Sequence, residues 1–582
     1  MLLLLLAACG DGVDREAIAK LPRHTLAYTG DLITARRLNH ALWPESDAER
    51  NELFGDVADV LRGADLAVVN LEGMISMGGY YNQLRSCTWM FRAHPRMTEV
   101  LTDMGVDVVT IGNNHNGDYG PDALREQLDH LRLAGIDYAG AGENEEDAAR
   151  PLYRQLGDTV VAIVSAELSV TEIYDATPTE PGVHFVRKAF KKPEHDDELV
   201  AYFREKVAEA RQHAHVVVFV PHWDAWKDPP AVTPEMRALA GRLVRDAGFD
   251  AILAHGRHDP QGVEVFDGKP VIYDAGNVFL DHSSDDHDSR GMIWQVQVSR
   301  AGVHAIEGVP VKMKRNRSRI ARGEEQRKAF DRVQRLSAEM GSQLVVKDER
   351  ARLELDPGGI LEPTKGAQAL ARPLREGGVR WAPTDVLHDN LPEGVTPLDV
   401  RFESGIRLVG FELLSPGLVA SSCSSQTVVL YWTTDQPVTD SYVVHLEARR
   451  VVDGKMADRD MRREEHLPGD WMLPTNLWPV GKVIQDKTNV RLMNDDPTGE
   501  IAFLVGMRKL TEADRAGSNG TIVAPLASGD LPRAEELVVI GRTPYADGAK
   551  KAADVYETWR KTRRVTLSPS QPPMGAPPLT WD

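Results

Sequence analysis

The chain has 582 residues, of which 42% are hydrophobic and 27% are charged. This length predicts roughly two to four domains, and the composition excludes a disordered chain, a collagen-like repeat and a polytopic membrane protein. The 68 Lys and Arg against 87 Asp and Glu give a formal net charge of −19. We expect no nucleic-acid partner, because binding to a phosphate backbone depends largely on basic side chains. The three cysteines are too few for a disulfide framework.

The chain opens on an apolar run that ends in small residues and a cysteine, Leu6-Ala7-Ala8-Cys9. The run is far too short to cross a bilayer, which takes about 20 apolar residues. It resembles a bacterial lipobox, although no basic residues precede the leucines. We expect Cys9 to be lipidated and to anchor the protein in the membrane of a bacterial cell envelope, facing outside the cytoplasm. The alternative is an apolar tail with an ordinary cysteine.

Between residues 24 and 300, short apolar runs alternate with longer amphipathic segments. This alternation is typical of an α/β fold in which helices flank the sheets. The predicted strands are His24–Thr29, Leu66–Asn70, Val106–Ile111, Val160–Val164, Val216–Val220, Ala251–Ala254 and Val271–Tyr273. The predicted helices are Glu45–Arg62, Pro121–Ala134, Asp197–Gln212 and Pro234–Ala247.

The character of the chain changes after residue 312. A strongly charged, helical stretch leads into a linker rich in proline and glycine, and short alternating strands then predict an antiparallel β-sandwich. The predicted units are a signal and anchor (1–22), an α/β domain (23–312), a charged helical segment and linker (313–399), a β-sandwich accessory domain (400–546), and a C-terminal helix and proline-rich tail (547–582).

Chemically active side chains follow five strands of the α/β region. They are Asp31, Glu72, Asn114 with His115, His222, and His255 with His258. Any one of them alone is an ordinary turn or cap residue. Because functional groups gather at the carboxyl ends of strands in open α/β sheets, we expect these side chains to converge on one crevice. Carboxylate, carboxamide and imidazole ligands together suit Mn, Fe or Zn better than Ca or Mg.

Residues 24–300 also carry a series of blocks in a characteristic order. The blocks are Gly30-Asp31, the segment 64–72, the segment 91–95, the segment 113–120, the segment 139–142, His222-Trp223, His255 with His258, the segment 268–273 and Gly276-Asn277. In order and spacing they resemble the poly-γ-glutamate capsule-synthesis (CapA) family, a branch of the calcineurin-like metallophosphoesterases.

The resemblance implies a calcineurin-like sandwich of β-sheets with two divalent transition metals, Mn, Fe or Zn. It assigns Asp31 to the first metal, Glu72 to both metals, Asn114, His222 and His255 to the second, and His258 to the first. It makes His115 the general acid for the leaving group. Two neighbouring cations generate a hydroxide and clamp a phosphoryl group during in-line attack.

Some positions depart from the family pattern or stay open. Ile33 stands where the superfamily has a further histidine, and Asp224 and Trp226 stand where the family has glycine and glutamate. Arg257 either contacts an anionic substrate or faces solvent.

Three polar residues beside the predicted ligands also have two interpretations. Asp118 either orients His115 or a metal ligand, or serves as a turn residue before the following helix. Asn70 and Asn277 either support the ligands or make turn hydrogen bonds, and their position beside the ligands favours support.

The C-terminal region resembles, on one turn motif and a few aromatic strands, the β-sandwich modules of some bacterial membrane glycosyltransferases. The motif is the segment 469–481. Trp471 and Trp478 within it are either a glycan-stacking platform or aromatic residues of the core and turns, and the core is the favoured interpretation.

Two functions from different classes therefore remain. The first is an envelope-anchored, metal-dependent phosphoesterase or related hydrolase in the biosynthesis of a capsule or surface polymer of the poly-γ-glutamate type. The second is a non-catalytic assembly or export factor that binds an anionic polymer. The expected partners are an anionic polymer or a phosphorylated small molecule, together with the capsule-synthesis machinery.

Overall fold

The computed structural model describes residues 14–35, 38–39, 42, 52–79, 89–169, 174–186, 196–223, 232–280, 289–314, 317–370, 386–402, 405–414, 419–420, 423–456, 463–469, 473–492, 500–510, 522–523, 531, 533–534 and 537–544. Cys9, Asp224, Trp226, Trp471 and the predicted tail lie outside this part of the chain. Within it, every helix is too short or too polar to span a bilayer.

The N-terminal part, residues 14–354, alternates strands with helices. Its strands are β1 (His24–Ile33), β2 (Leu66–Glu72), β3 (Met74–Ile75), β4 (Arg92–Ala93), β5 (Val108–Thr110), β6 (Asp137–Ala139), β7 (Ala141–Gly142), β8 (Leu152–Leu156), β9 (Thr159–Glu167), β10 (Gly182–Val183), β11 (Val216–His222), β12 (Ala251–Leu253), β13 (Val263–Phe266), β14 (Lys269–Ile272), β15 (Asn277–Phe279), β16 (Arg290–Ser299), β17 (Gly302–Lys314), β18 (Arg317–Ile320), β19 (Val345–Lys347) and β20 (Arg350–Glu354). Its helices are α1 (Arg15–Ala19), α2 (Gly55–Arg62), α3 (Met97–Asp103), α4 (Gly120–Leu133), α5 (Glu145–Ala148), α6 (Asp196–Ala210), α7 (Pro234–Arg242) and α8 (Gly323–Glu339).

These strands build two large sheets. The first runs in the order β19-β20-β17-β16-β1-β2-β5-β6, with β15 beside β1 and β18 beside β17. The second runs in the order β13-β14-β12-β11-β9-β8. In the middle of each sheet the strands are parallel, β1-β2-β5-β6 in one and β9-β11-β12-β14 in the other. Their carboxyl ends therefore meet along a shared edge of each sheet.

The two sheets pack face to face, and helices cover their outer faces. Leu26 and Tyr28 of β1 share a hydrophobic cluster with Val218 of β11, whereas Ala27 between them packs in a cluster with Leu124 of α4. This alternation follows from the period of two along a strand. A third cluster joins Phe203 and other residues of α6 and α7 to the outer face of the second sheet. The fold is thus mixed α/β in four layers, as the alternating pattern predicted.

The region after residue 312 differs from the prediction of a separate helical segment and linker. β20 pairs with β17 and β19 pairs with β20, so both strands extend the first sheet. Phe330 and Val333 of α8 are buried in the cluster between the sheets. The physical reason is the apolar stripe of α8, which charged residues on its other faces hid in the sequence. The N-terminal part therefore continues to Glu354.

The described residues of the C-terminal part, 386–544, form two antiparallel sheets. Their strands are β21 (Leu387–His388), β22 (Thr396–Arg401), β23 (Ile406–Leu414), β24 (Val419–Ala420), β25 (Cys423–Thr434), β26 (Tyr442–Val452), β27 (Lys455–Met456), β28 (Arg463–His466), β29 (Val483–Leu492), β30 (Glu500–Lys509), β31 (Ile522–Val523), β32 (Arg533–Ala534) and β33 (Leu537–Pro544). One sheet follows the order β21-β29-β25-β23-β22, and the other follows β27-β26-β30-β33-β32. Inner residues of both sheets, such as Leu430 and Phe503, share one hydrophobic cluster.

Two further residues belong to this C-terminal cluster. Trp478 is buried in it and donates from its indole nitrogen to the Leu473 carbonyl at 3.0 Å, which favours the core interpretation of that tryptophan. Met77, from the loop after β3 of the N-terminal part, is also buried there. In the same loop the Gly79 carbonyl accepts a hydrogen bond from the Lys487 ammonium at 3.4 Å. The two parts of the chain are therefore in direct contact through the loop after β3.

Candidate metal centre

The predicted side chains converge where the carboxyl ends of the two sheets meet. Asp31 and Glu72 lie at the ends of β1 and β2 in the first sheet, and His222 is the last residue of β11 in the second. His255 follows β12 and forms an isolated bridge with His222. All four side chains are essentially inaccessible to solvent. The crevice thus draws Asp31 and Glu72 from one sheet and these two imidazoles from the other.

Gly30 sets the position of Asp31. The pairing of β1 with β2 is irregular between Thr29 and Asp31, with Gly30 at the irregularity. The Asp31 amide donates to the Gly276 carbonyl at 2.9 Å, and a Cβ at position 30 would lie 1.9 Å from that carbonyl oxygen. Asn70 fixes the carboxylate, because its side-chain amide donates to Asp31 Oδ1 at 2.8 Å.

Replacing Gly30 by alanine is expected to lower the free energy of unfolding by at least about 2 kcal/mol, because the new methyl group overlaps backbone that cannot move aside freely. Urea unfolding followed by circular dichroism measures this change. Gly358→Ala is the matched control, since a Cβ there meets open space. Equal stabilities of the two variants would contradict the close approach of Gly30 to Gly276.

Asp31, His222 and His255 form the first group of ligand atoms. Nδ1 of His222 lies 3.1 Å from Nδ1 of His255, and Nδ1 of His255 lies 3.1 Å from Asp31 Oδ1. The Nε2 atoms of both histidines are buried and have no hydrogen-bond partner among the described residues. Two imidazole nitrogens and a carboxylate oxygen at these separations can bind one metal ion together.

Asp31, Glu72 and His258 form the second group. Nδ1 of His258 lies 2.9 Å from Asp31 Oδ2 and 3.8 Å from Glu72 Oε2, and it also lies 3.1 Å from Asn277 Oδ1. His258 has a positive φ of 61°, an uncommon conformation for a residue with a side chain. Asp31 belongs to both groups, whereas the resemblance gives the role shared between two metals to Glu72.

The charges of these groups oppose one another. Burial lowers the pKa of His222 well below its ordinary value, and the adjacent His255 acts in the same direction. Burial alone would raise the pKa of Asp31, but hydrogen bonds with His255 and His258 hold that pKa well below its ordinary value. Burial also disfavours charge on His258, yet Glu72 and Asp31 raise its pKa well above the ordinary value. A cation bound between these carboxylates would compete with the proton on His258.

His115 lies near Oε1 of Glu72, whereas His258 lies near Oε2 of the same carboxylate. Its Nε2 is 3.7 Å from Glu72 Oε1, and its Nδ1 is 2.8 Å from Asp118 Oδ2. Asp118 also accepts hydrogen bonds from the Phe91 amide at 2.8 Å and from the Tyr174 hydroxyl at 2.9 Å. The Phe91 ring contacts the imidazole of His115 with centroids 4.3 Å apart. Asp118 therefore orients His115 in addition to shaping the turn.

A network of amide side chains supports the first sheet's side of the centre. Asn113 donates to Asn70 Oδ1 at 2.9 Å, and Asn116 donates to Asn113 Oδ1 at 2.8 Å. Gln127 of α4 donates in turn to Asn116 Oδ1 at 2.6 Å. The chain of hydrogen bonds connects Asp31, through Asn70, to the body of a helix, which restricts the rotation of each member.

The remaining predicted residues lie at the same crevice or beside it. Asn114 is buried directly before His115 in the same loop. Arg257 is buried, and its amide donates to Asp274 Oδ2 at 2.7 Å, so it does not face solvent. Ile33, whose side chain has no ligand atom, packs in a small apolar cluster that includes Phe91.

Sequence reasoning missed three buried polar residues at the centre. Asp274 receives hydrogen bonds from the amides of Arg257 and Gly276, and burial together with the charge of Asp31 raises its pKa well above the ordinary value. It follows the strand run Val271–Tyr273, so the pattern that identified the candidate ligands also applied to it. Glu167 ends β9, three residues beyond the predicted end of that strand. Nothing in the sequence around Tyr174 indicated that this residue lies at the centre.

Residues 25–282 match the model of a family described as bacterial capsule synthesis protein PGA_cap. A Mycobacterium tuberculosis protein named "Probable polyglutamine synthesis accessory protein" is 27% identical over 360 residues, which are 58% of this chain and 90% of that protein. The PGA biosynthesis protein CapA of Bacillus subtilis is 25% identical over 289 residues, 49% of this chain and 70% of that protein.

Among solved structures, a hypothetical protein from Thermus thermophilus superimposes with a TM-score of 0.27 at 14% sequence identity. The superposition covers 51% of this chain and 96% of that one. The family match and the named relatives confirm the resemblance found in the sequence blocks. Residues 25–282 thus match the bacterial capsule synthesis protein PGA_cap family, which belongs to the metallophosphoesterase-like superfamily.

Proposed function

We propose that this protein is a metal-dependent hydrolase of the phosphoesterase type that acts in the biosynthesis of a capsule or surface polymer. The observation that carries the proposal is the pair of overlapping ligand groups built around Asp31. Buried carboxylates and imidazoles are costly to bring together without a cation. The names of the relatives, which refer to capsule, PGA and polyglutamine synthesis, support the polymer part of the proposal.

The residues present fit a metal centre with two ions. Asp31, His222 and His255, together with Asn114, would hold one ion, and Asp31, Glu72 and His258 would hold the other. The mixture of oxygen and nitrogen donors suits Mn, Fe or Zn. Such ions lower the pKa of water and stabilise the charge of a phosphoryl group. Neutral imidazoles are needed for binding, and burial of His222 already favours its neutral form.

His115 would protonate the leaving group in this proposal. Asp118 accepts from the Nδ1 side of the ring, so the Nε2 side is directed toward Glu72 and the metal centre. The Asp118 carboxylate stabilises the protonated imidazole, and the contact with Phe91 keeps the ring in one orientation. Arg257, which is buried beside Asp274, would contact an anionic substrate.

We further infer an envelope location through lipidation of Cys9 and a β-sandwich accessory domain over residues 400–546. A second candidate function is that of a non-catalytic assembly or export factor for an anionic polymer. The observation that favours it is Ile33, which is buried among apolar residues where the superfamily has a histidine. The net charge of −19 opposes attraction of a polyanion unless cations mediate the contact.

The metal content of the purified full chain tests the proposal, with His222→Ala as the site variant and His388→Ala in the C-terminal part as the control. All three proteins are loaded with Mn²⁺ or Zn²⁺, analysed by inductively coupled plasma mass spectrometry, and assayed with bis(p-nitrophenyl) phosphate. We expect about two ions per chain and hydrolysis in the wild type and the control, with both reduced in His222→Ala. Absence of bound metal from the loaded wild type would overturn the hydrolase and favour the assembly factor.

A further inference from the structure

Glu167 is a buried carboxylate that lies behind the metal centre. It is the last residue of β9, and in the parallel pairing of β9 with β11 it stands in register with His222. The Leu168 amide donates to the His222 carbonyl at 2.9 Å, which holds the two strand ends together. Both side chains are at most 1% exposed. Glu167 and His222 are therefore held as neighbours by the backbone itself.

The two carboxylate oxygens of Glu167 have different surroundings. Oε1 accepts hydrogen bonds from both the amide and the hydroxyl of Ser169, the amide at 2.5 Å. Oε2 lies 3.9 Å from Nε2 of His222. Ser169 thus restrains one oxygen of Glu167, while the other oxygen lies toward the imidazole of His222.

The imidazole of His222 thus has two distinct sides. Its Nδ1 lies toward His255, which shares a group of candidate ligand atoms with Asp31, and its Nε2 lies toward Glu167. Glu167 belongs to neither group of ligand atoms within the part of the chain that the structure describes. A direct role as a ligand is therefore not indicated, and its influence on the centre passes through the ring of His222.

We propose that Glu167 is a positioning residue, which accepts a hydrogen bond from Nε2–H of His222 and so leaves Nδ1 of that ring as a lone-pair donor for a metal ion. The present separation of the two atoms is about 1 Å longer than a hydrogen bond. We expect it to shorten when Nδ1 binds a cation, because Nε2–H then becomes a stronger donor. A ligating histidine ordinarily needs such a partner to fix its tautomer and orientation. The inference rests on the metal centre of the proposed function.

The arrangement also accounts for the burial of an acidic side chain at this place. A buried carboxylate is costly inside a protein unless neighbouring groups compensate its charge. A cation bound on the far side of His222 would polarise the Nε2–H bond toward Glu167 and would stabilise the charge of that carboxylate through the ring. Glu167 and the metal ion would therefore each favour the presence of the other.

The test combines Glu167→Ala and Glu167→Gln with Glu264→Gln as a control. Glu264 is a buried glutamate that binds Arg237 and Tyr273 away from the centre. Zinc affinity is measured by competition with a chromophoric chelator, and circular dichroism checks that each variant is folded. We expect Glu167→Ala to weaken zinc binding by about 10–100-fold, Glu167→Gln to weaken it less, and the control to match the wild type.

A second readout distinguishes positioning from a merely structural role. ¹⁵N-histidine NMR of the metal-free and zinc-loaded full chain reports which nitrogen of His222 carries the proton. We expect the Nε2–H tautomer in the wild type and its loss in Glu167→Ala. Unchanged zinc affinity with an unchanged tautomer in the folded variant would overturn the inference. If the wild type binds no zinc, the proposed function fails, and the tautomer in the metal-free protein then decides the role of Glu167.

Discussion

Asp31→Asn is expected to reduce the metal content of the protein from about two ions per chain to nearly none. Asp31 supplies one oxygen to each group of ligand atoms, Oδ1 beside His255 and Oδ2 beside His258. The asparagine side chain has the same shape, but it removes the charge and replaces one ligand oxygen by an amide nitrogen. Inductively coupled plasma mass spectrometry of the Mn²⁺-loaded full chain measures the result.

Two further variants are compared with Asp31→Asn in this experiment. The exposed Asp246→Asn controls for the chemical change alone and should retain the metal content of the wild type. Glu72→Gln tests which carboxylate is shared, because Glu72 belongs to only one of the two groups that the structure defines. We expect Glu72→Gln to lose about one ion. Loss of both ions in Glu72→Gln, with one retained in Asp31→Asn, would instead support the bridging role that the family resemblance assigns to Glu72.

His115→Gln is expected to slow phosphodiester hydrolysis by about 10²–10⁴-fold while the metal content stays that of the wild type. His115 belongs to neither group of ligand atoms, yet its Nε2 lies 3.7 Å from Glu72. If His115 protonates the leaving group, its loss matters most for leaving groups that are poor. Rates with methyl phenyl phosphate and methyl p-nitrophenyl phosphate measure this difference.

A parallel experiment on the residues that hold the His115 imidazole uses Asp118→Asn and Tyr174→Phe. Both residues act on the imidazole through hydrogen bonds, Asp118 directly and Tyr174 through Asp118. We expect Asp118→Asn to slow the hydrolysis of methyl phenyl phosphate, which has the poor leaving group, more than Tyr174→Phe does. An equal effect of His115→Gln on both substrates would contradict its role as general acid and leave it a role in binding the phosphoryl group.

The sequence predicted the parts of the centre that local pattern controls. Each apolar run before Asp31, Glu72 and His222 forms a parallel strand, and the side chain at its carboxyl end lies in the crevice. A buried strand is recognisable by its β-branched residues, and a parallel arrangement brings such ends together. These two regularities explain why the side chains of Asp31, Glu72 and His222 converge in the structure.

Other features depend on contacts between distant segments, and no local pattern contains them. Tyr174 reaches Asp118 across 56 positions of sequence, and nothing in its own neighbourhood indicates this contact. Glu167 was missed because β9 continues three residues beyond its apolar run, and pairing with β11 rather than local propensity extends it. The sharing of Asp31 between two groups likewise follows from the positions of His255 and His258, which the second sheet determines.

The contact made by Met77 has a consequence for any attempt to divide this protein. Met77 is buried in the hydrophobic cluster of the C-terminal part, while its amide donates to Glu126 of α4 and its carbonyl accepts from Arg92. A chain cut after Glu354 would expose an apolar side chain on a loop whose backbone stays fixed in place. Arg92, which donates to this loop, directly follows Phe91, whose ring packs on the imidazole of His115, so the exposed loop would lie close to the support of that imidazole. We therefore expect the N-terminal and C-terminal parts to unfold together rather than as two independent units.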